Sequence, residues 1–283
     1  TQTDCWQTLS EKSHMRITII LQILLIATLN VNAQPADYYF QRALDKSHNN
    51  DHNGAITDYN KAIERDPNYT DAYYNRGAAK QSLKDFNGAI ADFTKAIEHD
   101  PNYTDAYTNR GVAKQFLKDF RGAMMDYEEA IELDPTIAEL YNNRAVAKQS
   151  LEDFRGAMPD YNKAIELDPN YAKAYSNRGI AKYYLKDYRG ALMDSDKAID
   201  IDPNNVEALQ TRGAAKNHLK DHKGAIADFN RAIELDPDFA DAYNGRGHAK
   251  HDLDDINGAC IDWSKAGELG HGTAYDTIQK YCL

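Results

Sequence analysis

Cysteine is scarce in this sequence: three residues in 283, at positions 5, 260 and 282. So few exclude a disulfide-dense scaffold and a cysteine-rich zinc framework. Basic charge is in deficit as well. Thirty-three Lys and Arg face 44 Asp and Glu, for a net charge of −11. A phosphate backbone needs a basic footprint and an anionic membrane surface attracts one, so neither nucleic acid nor such a surface is an expected partner. Glycine is never clustered into a phosphate-cradling loop, no HExxH pair occurs, and no serine or cysteine sits in a nucleophile motif. The expectation is no enzyme and no cofactor. Long apolar runs are missing too, with one exception near the N-terminus.

That exception spans residues 17–31, preceded by Met15 and Arg16 and followed by Asn32-Ala33. A positive start, a short apolar stretch and small residues at its end are the parts of a secretory signal, so residues 15–33 are expected to be cleaved after Ala33. The run falls short of the ~20 apolar residues of a membrane span. The mature chain is therefore expected to be secreted or periplasmic without membrane insertion, the alternative being anchorage by an uncleaved signal. Residues 1–14 would be a non-native or extended N-terminus. Beyond residue 33 there remain 31 basic and 42 acidic residues, so the net charge stays −11.

What is abundant is tyrosine: 19, against 8 Phe and 2 Trp. Its ring packs while its hydroxyl stays hydrated, which suits half-buried surfaces. The tyrosines recur because the chain does. Residues 71–104 read DAYYNRGAAKQSLKDFNGAIADFTKAIEHDPNYT, and residues 105–138 repeat the pattern without insertion or deletion. Seven such units of 34 residues cover 37–274. Within one unit, small and apolar residues fall three and four apart over 72–83 and again over 87–99, which predicts two helices. Asp85 is placed to cap the second helix. Asp100-Pro101-Asn102 ends it, because proline lacks the amide donor and disfavours helix before it. Gly77, Ala89 and Ala96 let the two axes approach closely. One pair cannot bury its apolar face alone, so units must stack.

This period, the small residues at fixed places and the closing proline resemble the tetratricopeptide repeat family. The resemblance implies an all-α, right-handed superhelical α-solenoid of antiparallel helix pairs. It implies a non-catalytic scaffold or adaptor, with the first helices lining a concave groove that takes an extended protein or peptide of unknown identity. The ends of the array depart from the pattern, as terminal repeats do. His48-Asn49-Asn50-Asp51 replaces the usual Leu-Lys-Asp turn, which should cost the first unit an apolar core residue. At the other end, Gly270-His271-Gly272 leads into a capping helix over 275–283. Pro159, early in a second helix, predicts a local irregularity.

Candidate sites follow the same grammar. Each first helix carries an arginine, from Arg42 to Arg246, with a lysine four residues on, and each second helix an aspartate, from Asp58 to Asp262. We read these as Arg–Asp pairs joining helices rather than as cations for an acidic ligand, since each arginine comes with its own carboxylate. For the groove, the resemblance implies ligand-holding roles for Asn75, Asn109, Asn143 and Asn177, with Tyr74, Phe116, Tyr183 and Tyr184 as neighbouring aromatic contacts. Tyr74, Thr108, Asn142, Ser176 and Gln210 stand where chaperone-binding relatives place clamp lysines, which disfavours a C-terminal carboxylate ligand. His218, His248 and His251 offer a second reading, in which the histidine-rich end binds a metal or small ligand. Cys260 and Cys282 form an even pair in an exported chain and are expected to be disulfide-bonded. Asn68-Tyr69-Thr70 and Asn102-Tyr103-Thr104 match the glycosylation pattern, but the repeat alone accounts for them.

Overall fold

The computed structural model describes residues 34–282; the expected signal and the segment before it lie outside them. Among the described residues there are fifteen helices and no strand. The chain divides into two compact units at Asn109 and Arg110. The first holds α1 (Ala36–His48), α2 (His52–Arg65), α3 (Thr70–Ser82), α4 (Phe86–His99) and the start of α5 (Thr104–Phe116). The second holds the rest of α5, α6 (Phe120–Leu133), α7 (Ala138–Ser150), α8 (Phe154–Leu167), α9 (Ala172–Tyr184), α10 (Tyr188–Ile201), α11 (Val206–His218), α12 (His222–Leu235), α13 (Ala240–His251), α14 (Ile256–Glu268) and α15 (Ala274–Tyr281). Each unit is a row of helix pairs, as the period requires.

The turn inside each pair is set by three residues. In the first unit the chain leaves α3 through Lys84, which adopts the left-handed conformation with φ of 62°. A side chain there costs roughly 1–2 kcal/mol. Hydrogen bonds from Lys84 N to Gln81 O (2.9 Å) and from Asp85 N to Lys80 O (2.9 Å) offset it by satisfying the last carbonyls. Asp85 then caps α4, its carboxylate accepting from Gly88 N at 3.0 Å. A Cβ on Gly88 would lie 2.2 Å from that carboxylate, so any larger residue there would displace the cap. In the second unit Lys118, Asp119 and Gly122 repeat the arrangement. The link to the next pair is an Asx turn: Asp100 Oδ1 accepts from Asn102 N at 3.0 Å, with Pro101 between them.

The core is built from alanines and one ring in every pair but the fifth, which has Ser195 there. In the first unit Phe93 is fully buried and lies so close to Gly77 that a Cβ there would sit 2.8 Å from the ring. In the second unit Tyr127, Phe229 and Trp263 stand in the same way against Gly111, Gly213 and Gly247. Ala89 and Ala96 are fully buried, as their size predicts.

Two expectations need correction. Pro159 does not interrupt its helix: α8 runs through it for 14 residues, the same length as α6 and α10. As the sixth residue of α8 it removes one helical amide donor, yet the element continues past it. The turn leucines are also not core residues. Leu83 is 43% exposed, so Asn49 in its place costs the first pair little burial.

Candidate functional site on the first helices

The charged row is structural. In the first unit Arg76 grips Asp92 with two hydrogen bonds, Nε to Oδ2 at 2.9 Å and Nη2 to Oδ1 at 2.6 Å, while Lys80 Nζ adds a third contact at 2.8 Å. The remaining Nη1 reaches back to Asn60 Oδ1 on the preceding second helix at 2.7 Å. Arg178, with Lys182, Asp194 and Asn162, reproduces this in the second unit. Arg212 and Arg246 likewise reach back to Asp196 and Asn230. The guanidinium fork thus ties three helices together. Burial pushes the Asp58 carboxyl up, but hydrogen bonds from Arg42 and Lys46 outweigh it and hold the group below its ordinary range. With both cations engaged by a buried carboxylate, this row is no receptor for an acidic ligand.

The asparagines form a second row, and their amides have partners within the chain. Asn75 Nδ2 donates to Asp71 O one turn earlier, at 2.8 Å. Asn109 Nδ2 donates to the Tyr74 hydroxyl at 2.9 Å, which joins two first helices of the first unit. In the second unit Asn177 Nδ2 donates to Asn142 Oδ1 at 3.0 Å, and Asn142 Nδ2 reaches Asn143 Oδ1 at 3.3 Å. Each amide nitrogen carries two hydrogens, so a rung leaves one N–H over.

The aromatic positions differ in exposure. Tyr74 is half-buried, stacked on Tyr103 with centroids 4.8 Å apart, and burial raises its hydroxyl pKa. Phe116 is 63% exposed and lines a shallow hollow of about 240 Å³ with Val112, Gln115 and Phe120. Tyr184 is 60% exposed and stacks flat on Phe154 at 4.6 Å. Tyr183 meets His218, its hydroxyl 3.1 Å from Nε2.

The histidines do not assemble as the metal reading needs. His218 lies flat on Tyr188, centroids 4.2 Å apart. His248 packs edge-on to Trp263, and His251 packs against both Trp263 and Tyr281. Among the described residues no group of three His, Cys, Asp or Glu is placed to hold a metal ion. Burial lowers the pKa of His218 and of His248. Cys260 and Cys282 are disulfide-bonded with Cα atoms 5.9 Å apart, which fastens α15 to α14.

A cavity of about 600 Å³ opens on α11 and α13 of the second unit, with Tyr183, Tyr184, His218 and His248 in its lining. Of its other residues, Asp241, Asn244 and Gly245 were not candidates from the sequence. One signal was available there: Gly245 occupies the register of Asn75, Asn109, Asn143 and Asn177.

Comparison with known proteins agrees with this architecture. Models described as tetratricopeptide repeat match residues 70–103, 104–137 and 138–171, and a model described as TPR repeat matches 48–84 and 217–254. No curated relative matches the sequence. Among solved structures, a tetratricopeptide repeat protein from Parabacteroides merdae is 18% identical with a TM-score of 0.69, over 87% of this chain and 96% of that one. The pilus biogenesis factor PilW is 18% identical with a TM-score of 0.66, over 74% and 98%. YrrB, described as a TPR protein with an unusual peptide-binding site, is 23% identical with a TM-score of 0.53, over 65% and 95%. At these identities the structures speak for the fold alone. Five repeat matches spanning more than half of the sequence and a row of helix pairs in one register place this chain in the tetratricopeptide repeat family.

Proposed function

We propose that this chain is an exported, non-catalytic scaffold that holds an extended protein segment along the face formed by its first helices. The observation that carries the reading is the exposure of Phe116 and Tyr184 on that face. A large ring kept in water costs apolar burial that a partner would recover, and aromatic anchors supply most of the energy of such contacts. Beside them the asparagine rungs keep one amide hydrogen each for a ligand backbone. YrrB, whose fold is similar, is described as having a peptide-binding site, which supports the same use of this fold. Export is supported by the apolar stretch at 17–31 with small residues after it and by the bonded cysteine pair, which persists in oxidising compartments.

Affinity capture from the envelope fraction of the source cells, read by mass spectrometry, should return a partner. Phe116→Ala should weaken its binding by roughly 1–3 kcal/mol, and Asn143→Ala by about 0.5–1.5 kcal/mol for one hydrogen bond. Normal binding by both variants, with binding abolished by substitution of Lys163 on the second-helix side, would move the site off this face.

A further inference from the structure

Two residues of the asparagine row make a rung back to the preceding first helix. Asn109 reaches Tyr74, and Asn177 reaches Asn142; each rung links a residue to one 35 positions earlier. The same step from position 245 leads to Gln210, but position 245 is glycine and has no side chain to donate. A side chain is also excluded there, since a Cβ would lie 2.5 Å from Cζ of the Phe229 ring. Gly245 borders the cavity of about 600 Å³.

One wall of this cavity comes from a single stripe of α13 and its C-terminal end. Asp241, Asn244, Gly245, His248 and Asp252 fall on one side of a helix at spacings of three, four and seven. Asn244 Oδ1 is buried and accepts no hydrogen bond from the protein. A buried acceptor without a donor costs about 1–3 kcal/mol, so a ligand that supplies the donor recovers that cost. The formal charges in the lining are two carboxylates, Asp241 and Asp252, against one ammonium, Lys220. Burial disfavours the protonated forms of His218 and His248, so these two add little positive charge at neutral pH. Asp241 is engaged only loosely, with His271 Nε2 at 3.4 Å. Asp252 is held by Asn217 Nδ2 at 3.1 Å.

We propose that this cavity binds the guanidinium group of an arginine side chain presented by an extended peptide. Asp241, Asn244 and the rings of Tyr183 and Tyr184 line one space. A planar cation with several N–H donors answers all of them, because it hydrogen-bonds in its plane and stacks on rings. A lysine ammonium is a strongly hydrated point charge with no flat face, and an anion would meet two carboxylates. The guanidinium chemistry stands on the cavity alone. That a peptide carries it rests on the scaffold reading above.

Calorimetric titration of the full chain tests this with blocked pentapeptides Gly-Ser-X-Ser-Gly, where X is arginine, citrulline or glutamate, and with N-acetyl-arginine methylamide. The arginine peptide should bind one per chain, and citrulline, which keeps the shape without the charge, should bind at least about tenfold more weakly. Asp241→Asn should lower affinity about tenfold, as expected for a lost charged hydrogen bond. Asn244→Leu should lower it several-fold with the melting temperature maintained. Equal binding of the citrulline or glutamate peptide, an unchanged affinity in Asp241→Asn, or no binding of the arginine peptide would overturn the proposal. If N-acetyl-arginine methylamide binds as tightly as the pentapeptide, the peptide is overturned as the carrier. A captured partner that still depends on Phe116 while the arginine peptide fails would sink this inference and leave the scaffold reading intact.

Discussion

The fifth and seventh repeats share one backbone frame but fill it differently. In the seventh, Trp263 is fully buried against Gly247, and a Cβ on that glycine would sit 2.6 Å from the indole nitrogen. In the fifth, the same position is Ser195, equally buried, with its hydroxyl lacking a partner, opposite Gly179. Both repeats nevertheless keep the capping aspartate, the left-handed turn residue and the Arg–Lys–Asp triad. The frame therefore belongs to caps, turns and the charged row. The ring adds burial energy on top of a geometry that forms without it.

The largest expected effect isolates that ring. Trp263→Ala should lower stability by about 3–5 kcal/mol, through lost burial and the cavity left behind. Trp263→Phe should cost far less, because Phe229 fills the same place in the sixth repeat and the indole N–H lacks a partner. Urea unfolding measures both. A small loss in Trp263→Ala would mean the ring is not what distinguishes the two repeats.

Next comes the row they share. Asp194→Ala and Asp262→Ala each leave an arginine and a lysine beside an empty place in a half-buried seam. Each should cost roughly 2–4 kcal/mol, less than the figure for fully buried pairs because the cations are partly solvated. The two losses should agree within about 1 kcal/mol. A wide gap between them would show that the triad does different work where the ring is absent.

Ser195→Ala should do the opposite of the first two and raise stability, by about 1 kcal/mol, since it removes a buried hydroxyl without a partner. A loss instead would reveal a partner for that hydroxyl in solution.

The smallest effect is a pH slope confined to the histidine-rich end. Burial depresses the pKa of His248 below its ordinary 6.5; Asp252 pulls it up, while His251 and His271 push it further down. His218 is depressed by burial and by Lys220, with Asp252 opposing. Below 6.5 the unfolded chain binds protons that the folded one resists. The stabilisation from these neutral imidazoles is therefore present above 6.5 and lost as pH falls from there toward the folded values. His248→Gln should flatten the slope of melting temperature between pH 7 and 5 (on the order of one group's titration). An unchanged slope would assign it elsewhere.

Much of this molecule is legible in its residues because repetition restates each rule seven times. Asp85 as a cap and Pro101 as a stop are local events, decided by one side chain and the nearest backbone amides. The pairing of Arg76 with Asp92 could be read because both recur at a fixed spacing of 16 residues. Where the sequence reading went astray, the property was not local. Leu83 looks like a core residue by its apolar character, but the turn that carries it stands at the edge of the pair. His218, His248 and His251 lie in adjacent repeats, but His218 stacks on Tyr188 while His248 and His251 pack on Trp263. The sequence alone determined the period, the helix pairs and the charged seam, since these follow from short-range chemistry repeated in register. Only the tertiary structure decided that a cavity lies beside Asp241, Asn244 and Gly245, with Phe229 packed where a side chain on Gly245 would go. That depends on the Phe229 ring, a contact between elements that no short-range rule contains.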